Sequence, residues 1–486
     1  MFDILVVSLV LLSIYYYYKT KEKKQYKNFY KLGTPTWYPI IGNAYILLGR
    51  NILKAVQYAF QTWGNPMYLY IPYRTFMTAK VEDIKIILNH PSSMEKSREY
   101  NHLRGFVGKS LLIEKVPRWK KNRRIISRSF KQTILDEFMD TFYNKTCTLV
   151  DLIKKERYSN NDVIHLFGKF TLDTFCEATL GIESTILEDT KEHMFVTAIR
   201  ELQQIAFNRI GNLIKMNDFL YQFVSDCKLL NFYDNNAKKH VRQIMTTKHD
   251  LRTKHSDAMI DVHRLPVLDL LLQVADKESL TDEYIAEEMV LFAGAATDTT
   301  AYTLTYISIL LGINQDVQQK VYEEVISVVG PNMVIGSSHL GDLKYTEMVI
   351  SESQRLAPAI PMAGRYATAD IDLGHSIIPA NTSIIMSFME LHRNPDIWPK
   401  PLEFNPDRFL PEEVAKRPQY SFVPFSGGPR NCIGLKYAMM VMKTTVANLV
   451  RNFHITSGHK SIHELDFESS IVMIPTRPLD VHFTPR

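Results

Sequence analysis

The segment Phe425–Gly434, with the sequence FSGGPRNCIG, constrains this chain more than any other stretch of its 486 residues. It places Cys432 in a loop with three glycines, after Phe425 and Arg430 and before a predicted helix over 435–449. A thiolate presented in this way is suited to bind one metal ion, because positive charge and helix-start amides favour ionised sulfur. Glycine permits a sharp turn and a close approach to a flat ligand, and a phenylalanine can keep water from the sulfur. The alternative is a buried structural cysteine in a turn.

This loop resembles the haem-binding loop of the cytochrome P-450 family, the haem-thiolate monooxygenases. The likeness comprises Phe425, the glycines, Arg430 two residues before Cys432, and Gly434 two residues after it. It implies a mainly α fold with a small β region, and haem b with Cys432 as the axial ligand of the iron. An electron-rich thiolate favours cleavage of the O–O bond, so the resemblance implies insertion of one oxygen atom into a C–H bond.

A second chemical feature lies within a long predicted helix, Thr281–Ile313, which Thr281 can cap at its start. Its centre contains Gly294 and a run of alanines and threonines, which weaken a helix and let a flat group lie against it. By the register of the resemblance, Asp298 and Thr299 are the acid and alcohol that deliver protons during oxygen activation. Packing of a buried helix would explain the small residues equally well.

Two alanines in this helix depart from similar sequences. Ala295 stands where the fatty-acid ω-hydroxylase branch often has a glutamate that bonds to haem, so the resemblance implies haem that is not covalently attached. Ala296 stands where glycine is most frequent, which narrows the oxygen groove. Two other segments, HRNP at 392–395 and FNPDRF at 404–409, are similar to the branch that contains insect and vertebrate fatty-acid hydroxylases.

Several further residues match the family in kind and order. Glu352 and Arg355 lie three residues apart on one helical face, and Arg408 follows them. The resemblance implies that these three form a buried network with a role in folding, since loss of one partner of a buried ion pair is strongly destabilising.

Another group of residues is expected at the haem propionates. Trp119 and Arg123 match the family's Trp-x-x-x-Arg helix, and Arg365 and Arg430 match two other arginines of the family. Arginine suits carboxylates because it can donate two parallel hydrogen bonds. An ordinary amphipathic helix is the alternative for Trp119 and Arg123.

The substrate pocket is predicted by position from three segments. Its expected wall is apolar or small throughout, which favours a lipophilic substrate such as a fatty acid derivative, terpenoid, sterol or xenobiotic. Core packing would explain the same side chains. The predicted residues are Phe292, Ala293, Ala296, Ile360, Met362, Ala363, Val472 and Met473.

The N-terminus predicts a membrane anchor. Residues 1–18 are mostly apolar or aromatic and are followed by lysines, which favour the cytosolic side of a membrane. We therefore expect a transmembrane helix over 1–18, a basic and proline-rich joint over 19–43, and a haem-thiolate catalytic domain over 44–486, on the cytosolic face of the endoplasmic reticulum. Because the apolar run is shorter than the roughly 20 residues that span a bilayer, an interfacial helix is the alternative.

Composition and motifs limit the partners. The net charge of +5 is mild and no aromatic-basic recognition motif is present, so nucleic acid is not expected. The four cysteines are far apart, which argues against a zinc site or a disulfide framework. No flavin or dinucleotide motif is evident, so electrons are expected from NADPH through cytochrome P-450 reductase, with cytochrome b5 as a second candidate.

A basic patch is the predicted docking surface for that acidic donor. A solvated charged face is the alternative for each residue. The predicted members are Lys120, Lys121, Arg124, Lys436 and Lys443.

Two other functions remain open at this point. One is a haem-thiolate isomerase or dehydratase, and such enzymes tend to lack the acid–alcohol pair that Asp298 and Thr299 would form. The other is a non-catalytic haem-binding membrane protein, which would need no proton relay.

Overall fold

The computed structural model describes residues 17, 20–38, 41–47, 51–71, 73–155, 163–210, 212–254 and 266–486. These residues are mainly α-helical with a small β region, which confirms the predicted class. The α-helices are Ile52–Trp63 (α1), Val81–Asn89 (α2), Arg104–Val107 (α3), Val116–Ile126 (α4), Gln132–Glu137 (α5), Met139–Lys154 (α6), Val163–Phe175 (α7), Met194–Phe207 (α8), Leu213–Met216 (α9), Asp218–Tyr221 (α10), Ser225–Lys254 (α11), Val267–Glu278 (α12), Asp282–Ile313 (α13), Gln315–Val328 (α14), Ser337–Leu340 (α15), Lys344–Leu356 (α16), Phe388–His392 (α17), Pro411–Lys416 (α18) and Leu435–Asn452 (α19).

The strands form one larger sheet and three two-stranded ribbons. In the larger sheet the order is β1-β2-β6-β3, with β2 and β6 parallel and the other neighbours antiparallel. The ribbons pair β10 with β7, β4 with β5, and β8 with β9. The strands are Met67–Tyr70 (β1), Arg74–Thr78 (β2), Met362–Tyr366 (β3), Ile371–Asp372 (β4), Ile377–Ile378 (β5), Ser383–Ser387 (β6), Phe453–Ser457 (β7), Phe467–Ser469 (β8), Met473–Pro475 (β9) and Val481–Pro485 (β10).

Helix α13 crosses the interior of the domain. The Thr281 hydroxyl accepts a hydrogen bond from the backbone N–H of Tyr284 at 3.2 Å, as predicted for the cap. Most of the helix is buried on every side, which is the pattern of a core helix. At Gly294 an added Cβ would lie 2.5 Å from Cζ of Phe106. A side chain there would force the Phe106 ring of α3 to move, because that ring packs directly on the α13 backbone.

Part of the predicted joint is packed onto the body of the domain. Phe29 is fully buried. The Asn43 side chain donates to the carbonyls of Pro35 and Thr36 at 3.0 and 3.1 Å and accepts from the N–H of Tyr70 at 2.7 Å. These bonds attach the proline-containing segment to the end of β1.

Across the described ranges, no helix combines the length and the apolar character needed to cross a membrane. The predicted anchor, residues 1–18, lies outside the described residues except for Tyr17. It stays a prediction.

Candidate active site

The Cys432 loop turns back on the end of α2. Gly428 has φ of +66°, and an added Cβ there would lie 2.0 Å from the Leu88 carbonyl oxygen. The N–H of Cys432 donates to the carbonyl of Phe425 at 2.9 Å and closes the loop. Gly427 and Gly428 pack against Tyr420 and Leu88, whereas Gly434 lines a cavity beside Cys432. A side chain at Gly428 would therefore disrupt the packing of the loop against α2.

The loop and α13 border the same cavity, which has a volume of about 510 Å³. Cys432 lines this cavity and is exposed toward it, whereas Cys176 is buried in the core. Phe425 and Gly434 line it beside the cysteine, and Ala295 of α13 contributes an open stretch of wall. A thiol, an aromatic ring and a small-residue stretch of helix therefore face one enclosed space.

The electrostatics around Cys432 differ from the expectation in one respect. Burial raises the pKa of the Cys432 thiol, while the N–H of Gly434, Arg123 and Lys96 act to lower it. The expected contribution of Arg430 is not among these effects, because Arg430 is directed to backbone carbonyls. Without a metal ion the thiol form is favoured, and a bound cation would favour the thiolate.

Positive charge is concentrated at the wall of the cavity. Lys96, Arg123 and Arg430 line it. The guanidinium of Arg123 donates to the carbonyl and the side-chain oxygen of Asn431, each at 2.9 Å. Arg430 donates to the Glu114 carbonyl and lies 4.5 Å from the ring centroid of Trp119.

These cations repel one another in a desolvated setting. Burial, followed by the charges of Arg365 and Arg430, lowers the pKa of Lys96 well below its usual range. Burial and the charge of Arg365 lower the pKa of Arg430 to about 10. Arg365 is buried behind the wall and donates to the Gly364 carbonyl at 3.1 Å. An anionic ligand in the cavity would relieve this repulsion.

The acid and the alcohol of α13 face different surroundings. Thr299 lines the cavity, and its hydroxyl donates to the Ala295 carbonyl at 2.7 Å. Asp298 does not line the cavity and lies behind that wall, on the side of α8. Burial raises the pKa of Asp298 to about 7, against the opposing effects of Gln203 and Arg200. The carboxyl is thus poised to exchange a proton near neutral pH.

Residues 32–483 match the sequence model of the family described as Cytochrome P450. The chain belongs to the cytochrome P450 family. Cytochrome P450 4c3 of Drosophila melanogaster is 31% identical to it over 83% of this chain and 79% of that protein. Cytochrome P450 4V2 of Homo sapiens is 30% identical over 90% of this chain and 86% of that protein. Cytochrome P450 4c21 of Blattella germanica is 29% identical over 98% of this chain and 97% of that protein.

Membership confirms the predicted family, and the insect and vertebrate relatives match the predicted branch. The protein is therefore a cytochrome P450 monooxygenase. Members of the family bind haem b non-covalently through a cysteine thiolate. The cavity fits this group in two respects that do not depend on the comparison. Cys432 lines the cavity, and the mutual repulsion of the buried cations at its wall is what a propionate would relieve.

The structure places most of the predicted pocket residues in the wall of this cavity, but two lie elsewhere. Ala293 is fully buried because successive helical residues are about 100° apart, which turns it from Phe292 into the core. Met473 is fully buried because neighbouring residues of extended chain face opposite sides, and it packs away from Val472. Those that line the cavity are Phe292, Ala296, Ile360, Met362, Ala363 and Val472.

The Glu352–Arg355 pair lies in the core as expected. Arg355 Nε and Nη2 donate to the two carboxylate oxygens of Glu352 at 2.7 and 2.8 Å, and both side chains are fully buried. Arg408 Nε lies 3.4 Å from the same carboxylate. Arg355 also donates to the carbonyls of His392 and Pro401 at 2.8 and 2.7 Å. The network thus fixes the segment before the cysteine loop and does not reach the loop itself through these bonds.

One member of the predicted basic patch is not on the surface. Lys443 is buried and donates to the Leu340 carbonyl and the Glu347 carboxylate at 2.8 and 2.5 Å. Lys443 lies on the buried face of α19, where that helix packs against α15 and α16. The exposed members are Lys120, Lys121, Arg124 and Lys436.

Sequence reasoning missed Lys96 and Gln203. Lys96 lies between α2 and α3 in a segment without a recognised spacing, so only the fold brings it near Arg123. Gln203 carried a signal that could have been used, since it is a polar residue on the otherwise apolar face of α8 that includes Leu202 and Ala206.

Proposed function

We propose that the cavity binds haem b with Cys432 as the axial ligand, and that the enzyme inserts one atom of dioxygen into a lipophilic compound. The observation that carries this proposal is that Cys432, Thr299 and the cations Lys96, Arg123 and Arg430 line the same cavity. Candidate substrates are a fatty acid derivative, a terpenoid, a sterol or a xenobiotic. The electrons would come from NADPH through cytochrome P450 reductase, with cytochrome b5 as a second donor.

The haem supplies the oxygen activation when it is bound. The chain's own residues hold it and control water and protons. Arg123, Arg430 and Lys96 would bind the propionates, which their position in the cavity wall supports, and the Trp119 ring lies against the guanidinium of Arg430. Arg365 lies behind these residues, since its side chain is buried and donates to the Gly364 carbonyl. Removing any of these cations weakens a charge-assisted contact.

The proton pathway consists of Asp298 and Thr299. The Thr299 hydroxyl lies in the wall and can donate to a group in the cavity if it releases its bond to Ala295. The Asp298 carboxyl behind it, with a pKa of about 7, can take a proton from the protein side and pass it forward. An acid with a pKa near the working pH is well suited to this role.

The apolar wall supports a lipophilic substrate. Phe106, Phe130, Phe292 and Val472 line the cavity, and burial of apolar surface is what binds such a compound. Ala295 leaves free the space that a glutamate would fill. A screen of fatty acids, terpenoids and sterols by the change of the haem absorption band on binding tests this proposal. Shifts given only by small polar compounds would contradict it.

We expect Lys96→Met to weaken retention of haem by about tenfold. The reason is loss of a charge-assisted bond to a propionate, and the low end of the roughly 1.5–3 kcal/mol that such a bond contributes corresponds to about tenfold. The rate of haem transfer to excess apomyoglobin measures the effect. Lys120→Met, at an exposed position on α4, is the matched control and should leave the rate unchanged. An unchanged rate in Lys96→Met would remove Lys96 from the propionate site.

We expect charge reversal at Lys436 and Arg124 to weaken docking of the reductase. Both side chains are exposed, and rim charges act mainly on association and its salt dependence. The apparent KM for reductase should rise several-fold in Lys436→Glu/Arg124→Glu at low salt, and the difference should shrink as salt is added. Lys228→Glu, at an exposed position on α11, is the control. Equal effects of both variants would contradict docking at this patch.

We also propose that the protein is anchored in the endoplasmic reticulum membrane by residues 1–18, with its catalytic domain on the cytosolic face. The apolar run and the lysines after it support this placement. Deletion of residues 1–18 should move the protein from the membrane to the soluble fraction after cell fractionation. Retention of all of the truncated protein on membranes would contradict anchoring by this segment alone.

A further inference from the structure

Two neighbouring glutamates of α13 hold the segment Gly108–Glu114, which lies between α3 and α4. The backbone N–H of Leu111 donates to Oε1 of Glu288 at 2.7 Å. The backbone N–H of Lys109 donates to Oε2 of Glu287 at 2.8 Å. Glu288 is fully buried. The backbone of the segment is therefore attached to the interior helix by two side chains of that helix.

The other side of the segment is attached to the cysteine loop. The guanidinium of Arg430 donates to the carbonyl of Leu112 at 3.3 Å and to the carbonyl of Glu114. Helix α13 thus accepts hydrogen bonds from the N–H groups of the segment, while Arg430 donates to its carbonyls. The segment is held between the helix and the loop that border the cavity.

The start of the segment is shaped for close contact with α13. Gly108 has φ of +56°, and an added Cβ there would lie 2.3 Å from Cδ of Glu287. Glycine is favoured at this position, because it adopts positive φ without a steric cost and leaves room for the carboxylate. The Glu287 side chain therefore lies directly on the backbone that it holds.

Side chains of the segment form part of the cavity wall. Leu111 and Leu112 line the cavity, as do Phe106 and Val107 immediately before the segment. Glu287 and Glu288 are not among the residues that line it. The two glutamates can therefore act on a bound compound only through the segment that they hold.

We propose that Glu288, together with Glu287, limits the size of the compounds that the enzyme accepts, by holding Leu111 and Leu112 at a fixed place in the cavity wall. The same cavity of about 510 Å³ has to contain both the haem and the compound, so displacement of one wall changes which compounds fit. A fixed wall excludes bulky compounds, whereas a released wall yields to them. Both glutamates are positioning residues. This inference rests on the proposed binding of haem and a lipophilic compound in this cavity.

Glu288 is the better of the two glutamates to substitute. Glu287 also pairs with Lys238 of α11 at 3.4 Å, so its removal disturbs a second contact. Burial raises the pKa of Glu288 to about 8, so its carboxyl is mostly protonated at neutral pH. Glutamine reproduces that uncharged shape and keeps an oxygen that accepts from the Leu111 N–H. Methionine keeps the length of the side chain and removes the acceptor.

The first test compares a small and a bulky ligand of the haem iron in the haem-loaded enzyme. Imidazole and clotrimazole, an imidazole that carries a triarylmethyl group, are titrated by the shift of the haem absorption band. In Glu288→Met we expect the ratio of the clotrimazole Kd to the imidazole Kd to fall about fivefold, the scale of one lost hydrogen bond. Leu111→Ala, which shortens the wall directly, should also lower this ratio.

Two controls separate the hydrogen bond from a general loss of stability. Glu288→Gln keeps the acceptor and should retain the wild-type ratio. Asp282→Met, at an exposed position in the first turn of α13, should retain it as well. If Glu288→Met does not retain haem, Glu287→Met takes its place, because it removes the neighbouring bond to Lys109 and should shift the ratio in the same direction.

The second test measures the attachment of the segment without any added ligand. Hydrogen exchange followed by mass spectrometry reports on the peptide that covers residues 108–114. This peptide should exchange several-fold faster in Glu288→Met than in the wild type, because the Leu111 N–H has lost its acceptor and the segment opens more often. In Glu288→Gln it should exchange at the wild-type rate.

The outcomes separate this inference from the proposed function. Unchanged hydrogen exchange in Glu288→Met would overturn the attachment of the segment by Glu288. Faster exchange with an unchanged or raised ratio of dissociation constants would overturn its role in ligand size. No band shift with imidazole in the wild type would instead overturn the proposed haem site, and hydrogen exchange would still decide whether Glu288 holds the segment.

Discussion

Arg355→Ala is expected to lower the free energy of unfolding by about 3–5 kcal/mol, because it leaves the buried carboxylate of Glu352 without its partner. Both side chains have no solvent exposure. The substitution also removes the donors to the carbonyls of His392, Pro401 and Glu403. Urea denaturation followed by circular dichroism measures the loss.

Two further variants show whether charge or packing is responsible. Arg408→Ala removes a cation that is 11% exposed and 3.4 Å from Glu352, so its effect should be clearly smaller. The double variant Glu352→Met/Arg355→Met should be less destabilised than Arg355→Ala, since replacing both members of a buried pair leaves no unpaired charge. An unfolding curve of Arg355→Ala that overlays the wild type would contradict the buried-network account.

Asp298→Asn is expected to lower the rate of product formation on the order of a hundredfold, the scale on which a positioned proton donor acts. The carboxyl, with a pKa of about 7, delivers protons from its protonated form. The wild-type rate should therefore fall as the pH rises through about 7, and Asp298→Asn should lack this dependence. Product formation and peroxide release, measured across pH in the reductase-reconstituted system, test both parts.

Thr299→Val completes this experiment. It keeps the shape of the side chain and removes the hydroxyl, so more NADPH should end as peroxide. Thr300→Val is the matched control, because Thr300 also lines the cavity and has no assigned role in the relay. If Asp298→Asn retained the wild-type pH profile and coupling, Asp298 would not be the relay acid.

The sequence was most informative where the chemistry is local. The loop around Cys432 and the capped helix from Thr281 are contiguous segments, and their residue types alone predicted a helix start, a presented thiol and a weakened helix centre. The Glu352–Arg355 spacing likewise predicted a shared helical face. In each case the contacts lie within a few residues along the chain, so little knowledge of the tertiary fold was needed.

Contacts between distant segments could not be predicted in this way. Lys96 lies near Arg123 only because the segment between α2 and α3 folds against the cavity, and Gln203 reaches the Gly294 carbonyl only because α8 packs on α13. Ala293 was predicted in the pocket wall and Lys443 on the surface. Each has a suitable residue type for that place, but both face into the core. The side of an element that faces the cavity is set by packing, which a single sequence specifies weakly.

The most direct test of the central proposal is the absorption spectrum of the dithionite-reduced, carbon monoxide-bound protein beside that of Cys432→Ser. The proposal predicts the strongly red-shifted Soret band of thiolate-ligated haem in the wild type and its absence in Cys432→Ser. Cys176→Ser, which alters a buried cysteine outside the cavity wall, should keep the band. A red-shifted band that persists in Cys432→Ser would contradict Cys432 as the ligand of the haem iron.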